Sequence, residues 1–496
     1  MRGTGGLTRF LALAVAVALV TPSLDNAWTA RTPSFSSRVD PSLRAGEVAL
    51  VHTTGGHAGA LSLKLSELGA ADVETEYAAD TVIARLSGEA LAAIKTDASV
   101  TVAARDTVVV AQDTEVWGPG PVTAGSSMGS YAINAPSAWT VTKGAGITVA
   151  LMDSGIAQHP DLPNGKVLTR VDFVGDGSTL LDAAGHGTHL AGLIAANGQL
   201  QGVAPDARLV SVRVLGANGS GSLSSIVKGF DWVLWNAKKY SIKVLNLSWG
   251  APQATTYHQD LLAALAESAW FSGITVVSSA GNTGLTTGAV TMPGADPFVV
   301  TAGSFDDQGT TSTYDDRPSD FSSGGQTLDS FAKPDVLAPG RYVVSLRATG
   351  VTYPGGVVSP LYVRMTGTSA SAAFVSGVAA LVRAAHPEYT PTMVKGALVS
   401  SGRRIANTST RVVDASRALT SMTAVNALLA PSQLLENFLS SSHLVAAGTT
   451  WEGATWESVS WETVTWESVS WESVSWEAVT WETTTWEGAT WERLRR

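Results

Sequence analysis

Between about Tyr131 and Ala427 one pattern recurs: a short apolar run ends in a polar or Gly-rich turn, and a stretch with helical spacing follows. The apolar runs are Ile147–Met152, Leu209–Leu215, Val244–Leu247, Ile274–Val277 and Phe298–Ala302. Helical patterns cover His186–Ala196, Ser222–Ala237, Gln259–Phe271 and Ser369–Ala385. Strands alternating with helices specify an α/β fold, a mostly parallel sheet with helices on both faces. In such folds chemistry collects at the carboxyl ends of the strands, so the polar residues just after each apolar run are the ones to inspect.

The flanks read differently. Arg2 and Arg9 precede an apolar run, Phe10–Val20, too short for a bilayer, which takes about 20 residues. Residues 1–23 therefore read as a signal peptide, and no transmembrane helix is expected in the mature chain. Residues 24–46 are a linker. Residues 47–111 mix Val- and Thr-rich strands (Glu47–Thr53, Asp72–Ser87, Val100–Val110) with helical spacing at Ala58–Leu68 and Gly88–Lys95, a small α+β domain. Residues 112–130 form a Gly- and Pro-containing linker in which the processing site is expected, 131–427 the α/β region, and 428–450 a second linker.

Composition narrows the chemistry. Of 496 residues 45% are apolar, which excludes wholesale disorder. The chain has no cysteine, so disulfides, a thiolate nucleophile and cysteine-ligated metal are excluded. A formal charge of −10 argues against nucleic acid as partner.

Three Gly-flanked sites stand where a strand or turn meets a helix: Asp153 in Leu-Met-Asp-Ser-Gly, His186 in Gly-His-Gly-Thr-His, and Ser369 in Gly-Thr-Ser-Ala-Ser. A serine hydroxyl needs an imidazole to take its proton and a carboxylate to hold that imidazole's tautomer. Asn282, after the strand Ile274–Val277, can donate to an oxyanion, as can the Ser369 N–H at a helix start. Each motif alone suits a turn or a cap, and His186 with His189 could instead be a metal pair. The conjunction, in the order Asp, His, Asn, Ser, favours nucleophilic catalysis. A lipase-type Gly-x-Ser-x-Gly elbow is absent around Ser369.

The region resembles subtilisin-like serine proteases (subtilases). The resemblance rests on Gly146–Leu162 (GITVALMDSGIAQHPDL), His186–Gly192 (HGTHLAG), Gly202–Pro205 (GVAP), Asn246–Gly250 (NLSWG), Ser279–Asn282, Lys333–Gly340 (KPDVLAPG) and Gly367–Gly377. It implies Ser369 as nucleophile, His186 as general acid/base, Asp153 as its orienting carboxylate and Asn282 as oxyanion donor. It also implies that substrate backbone pairs beside Ser220 and Gly221 on one side and Ser248, Trp249 and Gly250 on the other. Thr283 stands where some relatives carry an acid, so a strong preference for basic side chains is not expected. Trp249 replaces a smaller aliphatic residue and either narrows a subsite or only packs. Ala370–Phe374 depart from the family's Met-Ala-x-Pro-His. Residues 47–111 resemble the family's propeptide, a folding aid and intramolecular inhibitor. No cofactor is required; structural calcium is common in such proteins but no site can be placed, and Asp172–Asp176 reads as a solvated loop. The expected function is a secreted serine endopeptidase acting on protein or peptide substrates and made as an autoprocessed precursor. A catalytically silent surface or binding protein is the alternative.

The tail, residues 451–496, repeats Trp-Glu plus three small or β-branched residues, with nine of the chain's 16 tryptophans at Trp451, Trp456 and on to Trp491. A step of five suits neither helix nor half-buried strand, because it leaves no dry face. The tail reads as low-complexity chain or as an adhesive module for polysaccharide, cell wall or self-association. Its nine Glu and three Arg contribute −6 of the −10.

Overall fold

The structure is a computed structural model that describes residues 39–53, 56–112, 128–310 and 312–426, with 429, 431, 432 and 435. The signal peptide, most of the 112–130 linker and the Trp-Glu tail lie outside the described residues.

The small N-terminal unit runs β1 (Val48–Thr53), α1 (Ala58–Glu67), β2 (Ala71–Glu76), β3 (Thr81–Arg85), α2 (Gly88–Thr96) and β4 (Val100–Arg105). Its sheet is antiparallel in the order β2-β3-β1-β4. The expected strand Asp72–Ser87 is therefore a hairpin, because the chain reverses through Tyr77–Asp80. Alternate residues of β1 and β3 serve two cores. Ala49, Val51, Val82 and Ala84 pack with Leu61, Leu65 and Ile94 of the helices, while Leu50 and Ile83 join the core of the large unit. A period of two thus fastens the sheet on both faces. The expected strand Val100–Val110 also divides. The chain leaves the sheet after Arg105, and Val108–Ala111 forms a separate strand, β5, inside the large unit.

Two short helices, α3 (Met128–Ala132) and α4 (Ala135–Ala138), lead into the large unit. Next come β6 (Thr148–Asp153), β7 (Val167–Asp172), α5 (His186–Ala195), β8 (Arg208–Arg213), β9 (Ser220–Ser222), α6 (Leu223–Tyr240), β10 (Ile242–Leu247), β11 (Trp249–Gly250), α7 (Leu261–Phe271), β12 (Thr275–Ser279) and β13 (Val300–Asp306). Strand Val336–Pro339, α8 (Thr368–Ala385), α9 (Pro391–Ser401) and strand Arg411–Val412 complete the frame. Eight strands pair in parallel: Arg411–Val412, Val336–Pro339, β13, β12, β10, β6, β8 and β7; Arg317–Pro318 adds an antiparallel edge to β13.

Helices α5 and α8 pack on each other and on the sheet, as do α6 and α7. By length and composition α8 could cross a bilayer, but it is almost wholly buried as a core helix. From β6 the chain crosses to the edge strand β7 and returns to β8 between them, and later builds the other side through β10, β12 and β13. The order therefore switches between β6 and β10, the place where such sheets leave a crevice at their carboxyl ends.

Candidate active site

Asp153 is the last residue of β6 and is fully buried. Its Oδ1 accepts the Nδ1–H of His186, the first residue of α5, at 2.6 Å, and the Ser154 N–H at 2.7 Å. This contact leaves Nε2 as the ring's other nitrogen. The approach requires glycine twice. A Cβ on Gly187 would collide with the Gly155 carbonyl oxygen, and Gly155 itself has φ +116° with the Leu181 carbonyl where a Cβ would stand.

Asp182 escaped the sequence reading. It is buried and accepts four hydrogen bonds: Ser154 Oγ–H (2.8 Å) and Gly185 N–H (2.7 Å) on Oδ1, Thr188 N–H (2.7 Å) and Thr188 Oγ1–H (2.6 Å) on Oδ2. Ser154 Oγ in turn accepts the Gly187 N–H at 2.9 Å. The residue after Asp153 and the residues flanking His186 are thus held by one carboxylate. Burial pushes its pKa above the usual carboxylate value, against the pull of these donors. An acid four positions before His186 was the available signal. His189 faces elsewhere, with Nε2 on the Val343 carbonyl at 3.0 Å, so the two histidines do not share a site.

Ser369 is the second residue of α8. Its Oγ–H donates to the Ser248 carbonyl at 3.0 Å, and Ser248 Oγ–H donates back to the Ser369 carbonyl at 3.1 Å. Asn246 Nδ2–H donates to Ser248 Oγ (2.8 Å), and Ser376 Oγ–H to Asn246 Oδ1 (2.9 Å), so buried polar groups of β10 and α8 brace the turn. Asn282 follows β12. Its Oδ1 accepts both the Thr368 N–H and the Thr368 Oγ1–H at 3.0 Å. This tie turns the amide's donor end away from Thr368, and Nδ2 is buried without a partner among the described residues. Thr283 is exposed, its N–H on Ser323 Oγ at 3.0 Å.

The crevice holds the chain's own β5. It lies antiparallel between β9 and β11, with Val108 opposite Ser222, Val109 opposite Gly221, Val110 opposite Ser220 and Gly250, and Ala111 opposite Trp249. Gln112 follows: its N–H donates to the Ser248 carbonyl at 3.1 Å, and its carbonyl accepts the Ser369 N–H at 3.3 Å. The structure therefore brings Ser220, Gly221, Ser248, Trp249 and Gly250 to one extended backbone.

Trp249 lies in the core beside the crevice, opposite Ala111 of β5. It is fully buried, and its indole N–H donates to the Met152 carbonyl at 2.9 Å. The departures after Ser369 are absorbed in the core: Phe374 lies against Gly129, and Ser371 Oγ–H donates to the Ala338 carbonyl at 3.0 Å. Asp172 and Asp176 are exposed, as expected of a solvated loop, and both also pair with the guanidinium of Arg213. With that cation in place the cluster does not suit calcium, and among the described residues no three His, Cys, Asp or Glu side chains are grouped to hold a metal.

The model of the subtilase family matches residues 144–470. Similar proteins include the serine protease AprX of Bacillus subtilis (strain 168), 37% identical over 266 residues, which are 51% of this chain and 60% of AprX. Subtilisin Savinase of Lederbergia lenta is 34% identical over 269 residues, 54% of this chain and 87% of that protein. Thermitase of Thermoactinomyces vulgaris is 32% identical over 287 residues, 57% and 90% of the two. The chain thus spans about three fifths of the length of AprX.

Proposed function

The chain belongs to the subtilase family, and on that premise we propose that it is a serine endopeptidase. The observation that carries the reading is the buried Asp153 Oδ1 to His186 Nδ1 contact, set at the same strand ends as Ser369 and Asn282. In this reading His186 Nε2 takes the Ser369 hydroxyl proton as Oγ attacks a substrate carbonyl. Asp153 keeps the ring's proton on Nδ1 and stabilises the imidazolium that forms. The Ser369 N–H and Asn282 Nδ2–H receive the developing oxyanion, a role worth about 10²–10³ in turnover for one donor. His186 then protonates the leaving amine, and water releases the acyl group by the reverse route. Ser220, Gly221, Ser248, Trp249 and Gly250 hold substrate by backbone pairing, with Thr283 at the rim. No cofactor enters any step.

Residues 47–111 act as the intramolecular inhibitor of a secreted precursor; their support is the docking of this unit and the entry of β5 into the crevice. The precursor and a Ser369→Ala variant should be expressed side by side. The wild type should shed its N-terminal unit and label with a fluorophosphonate, and the variant should do neither. Equal processing of both would instead support a silent surface protein on this fold. For the Trp-Glu tail, adhesion to wall polysaccharide is the proposed role. Deleting residues 451–496 should lower retention on wall polymers with peptidase activity unchanged, and unaltered retention would remove the role.

A further inference from the structure

We propose that the peptide bond on the carboxyl side of Gln112 is the first bond this protein cuts, and that Val109-Val110-Ala111-Gln112 displays the substrate it prefers: aliphatic at the fourth residue before the cut, small at the second, uncharged at the first. The proposal rests on the endopeptidase reading above and deepens it.

The geometry is that of a substrate in place. Besides the ladder to β9 and β11, the Ala111 N–H donates to the Gly219 carbonyl (2.9 Å) and the Leu223 N–H to the Thr107 carbonyl (2.8 Å). Backbone is thus held on the β9 side from Thr107 to Ala111 and on the β11 side from Val110 to Gln112, which fixes register to the residue. At the end of this register the Gln112 carbonyl, and no earlier one, meets the Ser369 N–H. The Ser248 carbonyl accepts both the Gln112 N–H and the Ser369 hydroxyl, so the nucleophile and the Gln112 backbone share one acceptor. Asn282 Nδ2, buried and unpartnered among the described residues, is the second donor awaiting charge on that oxygen.

Side chains alternate along the strand. Val109 is fully buried in the core of the large unit, Val108 and Val110 are exposed at 62% and 43%, and Gln112 is buried. The Gln112 amide donates to the Val110 carbonyl at 3.1 Å, so its polarity is met within the strand. A charged side chain buried there would lack that compensation. Asp106 adds a second clamp upstream, accepting the Ser224 N–H (2.9 Å) and Ser224 Oγ–H (2.8 Å) at the start of α6.

The step balances without a further reactant except water. Ser369 Oγ bonds to the Gln112 carbonyl carbon as its proton passes to His186. The carbon–nitrogen bond after Gln112 breaks, and that proton goes to the departing amine. Water then splits the ester, restoring the serine hydroxyl and leaving a Gln112 carboxylate.

The test follows the full-length chain from its first minutes of maturation, reading the carboxyl terminus of the earliest N-terminal fragment by intact mass. That fragment should end at Gln112 in the wild type and be absent from Ser369→Ala. Gln112→Pro removes the N–H on Ser248 and should slow the first cut at least about 100-fold, while circular dichroism shows the fold retained. On quenched peptides carrying Val-Val-Ala-Gln, replacing the first Val by Asp, or Gln by Lys, should lower kcat/KM at least about tenfold. A first fragment ending elsewhere, or unchanged processing of Gln112→Pro, overturns the proposal even where fluorophosphonate labelling shows an active serine. A wild type that neither cuts itself, nor cleaves peptide, nor takes the label overturns the endopeptidase reading as well.

Discussion

At the scale of single residues, Asp182 illustrates how one buried carboxylate can hold two candidate site residues in place. Its two oxygens hold Ser154 on one side and Gly185 and Thr188 on the other, and between them lie Asp153 and His186. An asparagine has the same shape but turns an N–H₂ toward donors that need an acceptor. Asp182→Asn should lower kcat by tens of fold with KM changed less than about threefold, because alignment is lost and not affinity. It should also cost about 1–3 kcal/mol of stability, the range for leaving a buried donor unmet. Steady-state kinetics and thermal unfolding check both, and unchanged kcat with lowered Tm would reduce Asp182 to a packing role. The candidate residues Asp153, His186, Asn282 and Ser369 could be picked from the chain because each sits in a local Gly-bounded motif. Asp182 could not, because its partners lie after β6 and at the start of α5, and its own neighbourhood, Leu-Leu-Asp-Ala-Ala, carries no turn signature.

At the scale of elements, β11 shows a crevice strand and the central sheet joined by one side chain. Trp249 reaches from β11 to the Met152 carbonyl, one residue before Asp153. Trp249→Phe keeps most of the apolar volume and deletes the donor. The loss should be about 1 kcal/mol, or about 2–4 °C in Tm for a unit of this size, with KM for a peptide substrate within about twofold. An unchanged Tm with altered KM would make Trp249 a subsite wall. The main strands and helices around the site fell where periodicity placed them, to within a few residues at their ends. The hairpin Ala71–Arg85 and the break between β4 and β5 did not. Val and Thr continue through both, and nothing in a run of extended residues marks where the chain changes partner.

At the scale of the whole molecule, the small unit rests on α6 through a cluster of acids. Glu74 pairs with Lys228, and Asp231 Oδ1 accepts the N–H groups of Ala78 (2.6 Å) and Ala79 (3.2 Å). Glu76 lies among Glu74, Asp231 and Lys228. Burial first, and then the charge of Asp231, raise its pKa to about 7 from an ordinary 4.5, with Lys228 opposing. Burial raises Asp231 as well. If a released unit returns Glu76 to its ordinary value, the docked form prefers the protonated carboxyl. That contribution is complete below about pH 4.5 and is lost as pH climbs to about 7. Once the chain is cut, the unit should therefore dissociate on the order of tenfold faster at pH 8 than at pH 5, after allowance for the solvent that still screens this carboxyl. Glu76→Gln should flatten the profile, and equal slopes in the two proteins would remove Glu76 from the effect.

The amino-acid sequence by itself determined the α/β alternation, the order of the four candidate site residues and the small domain ahead of them. These are written in local periods and in glycines that local geometry demands. Only the tertiary structure decided where β5 lies, what Trp249 and Asp182 touch, and which carbonyl meets Ser369. The physical reason is that an extended segment carries hydrogen-bond capacity on both edges without naming a partner. The choice is made by the two edges it finds, here β9 and β11, brought together from residues more than a hundred positions away.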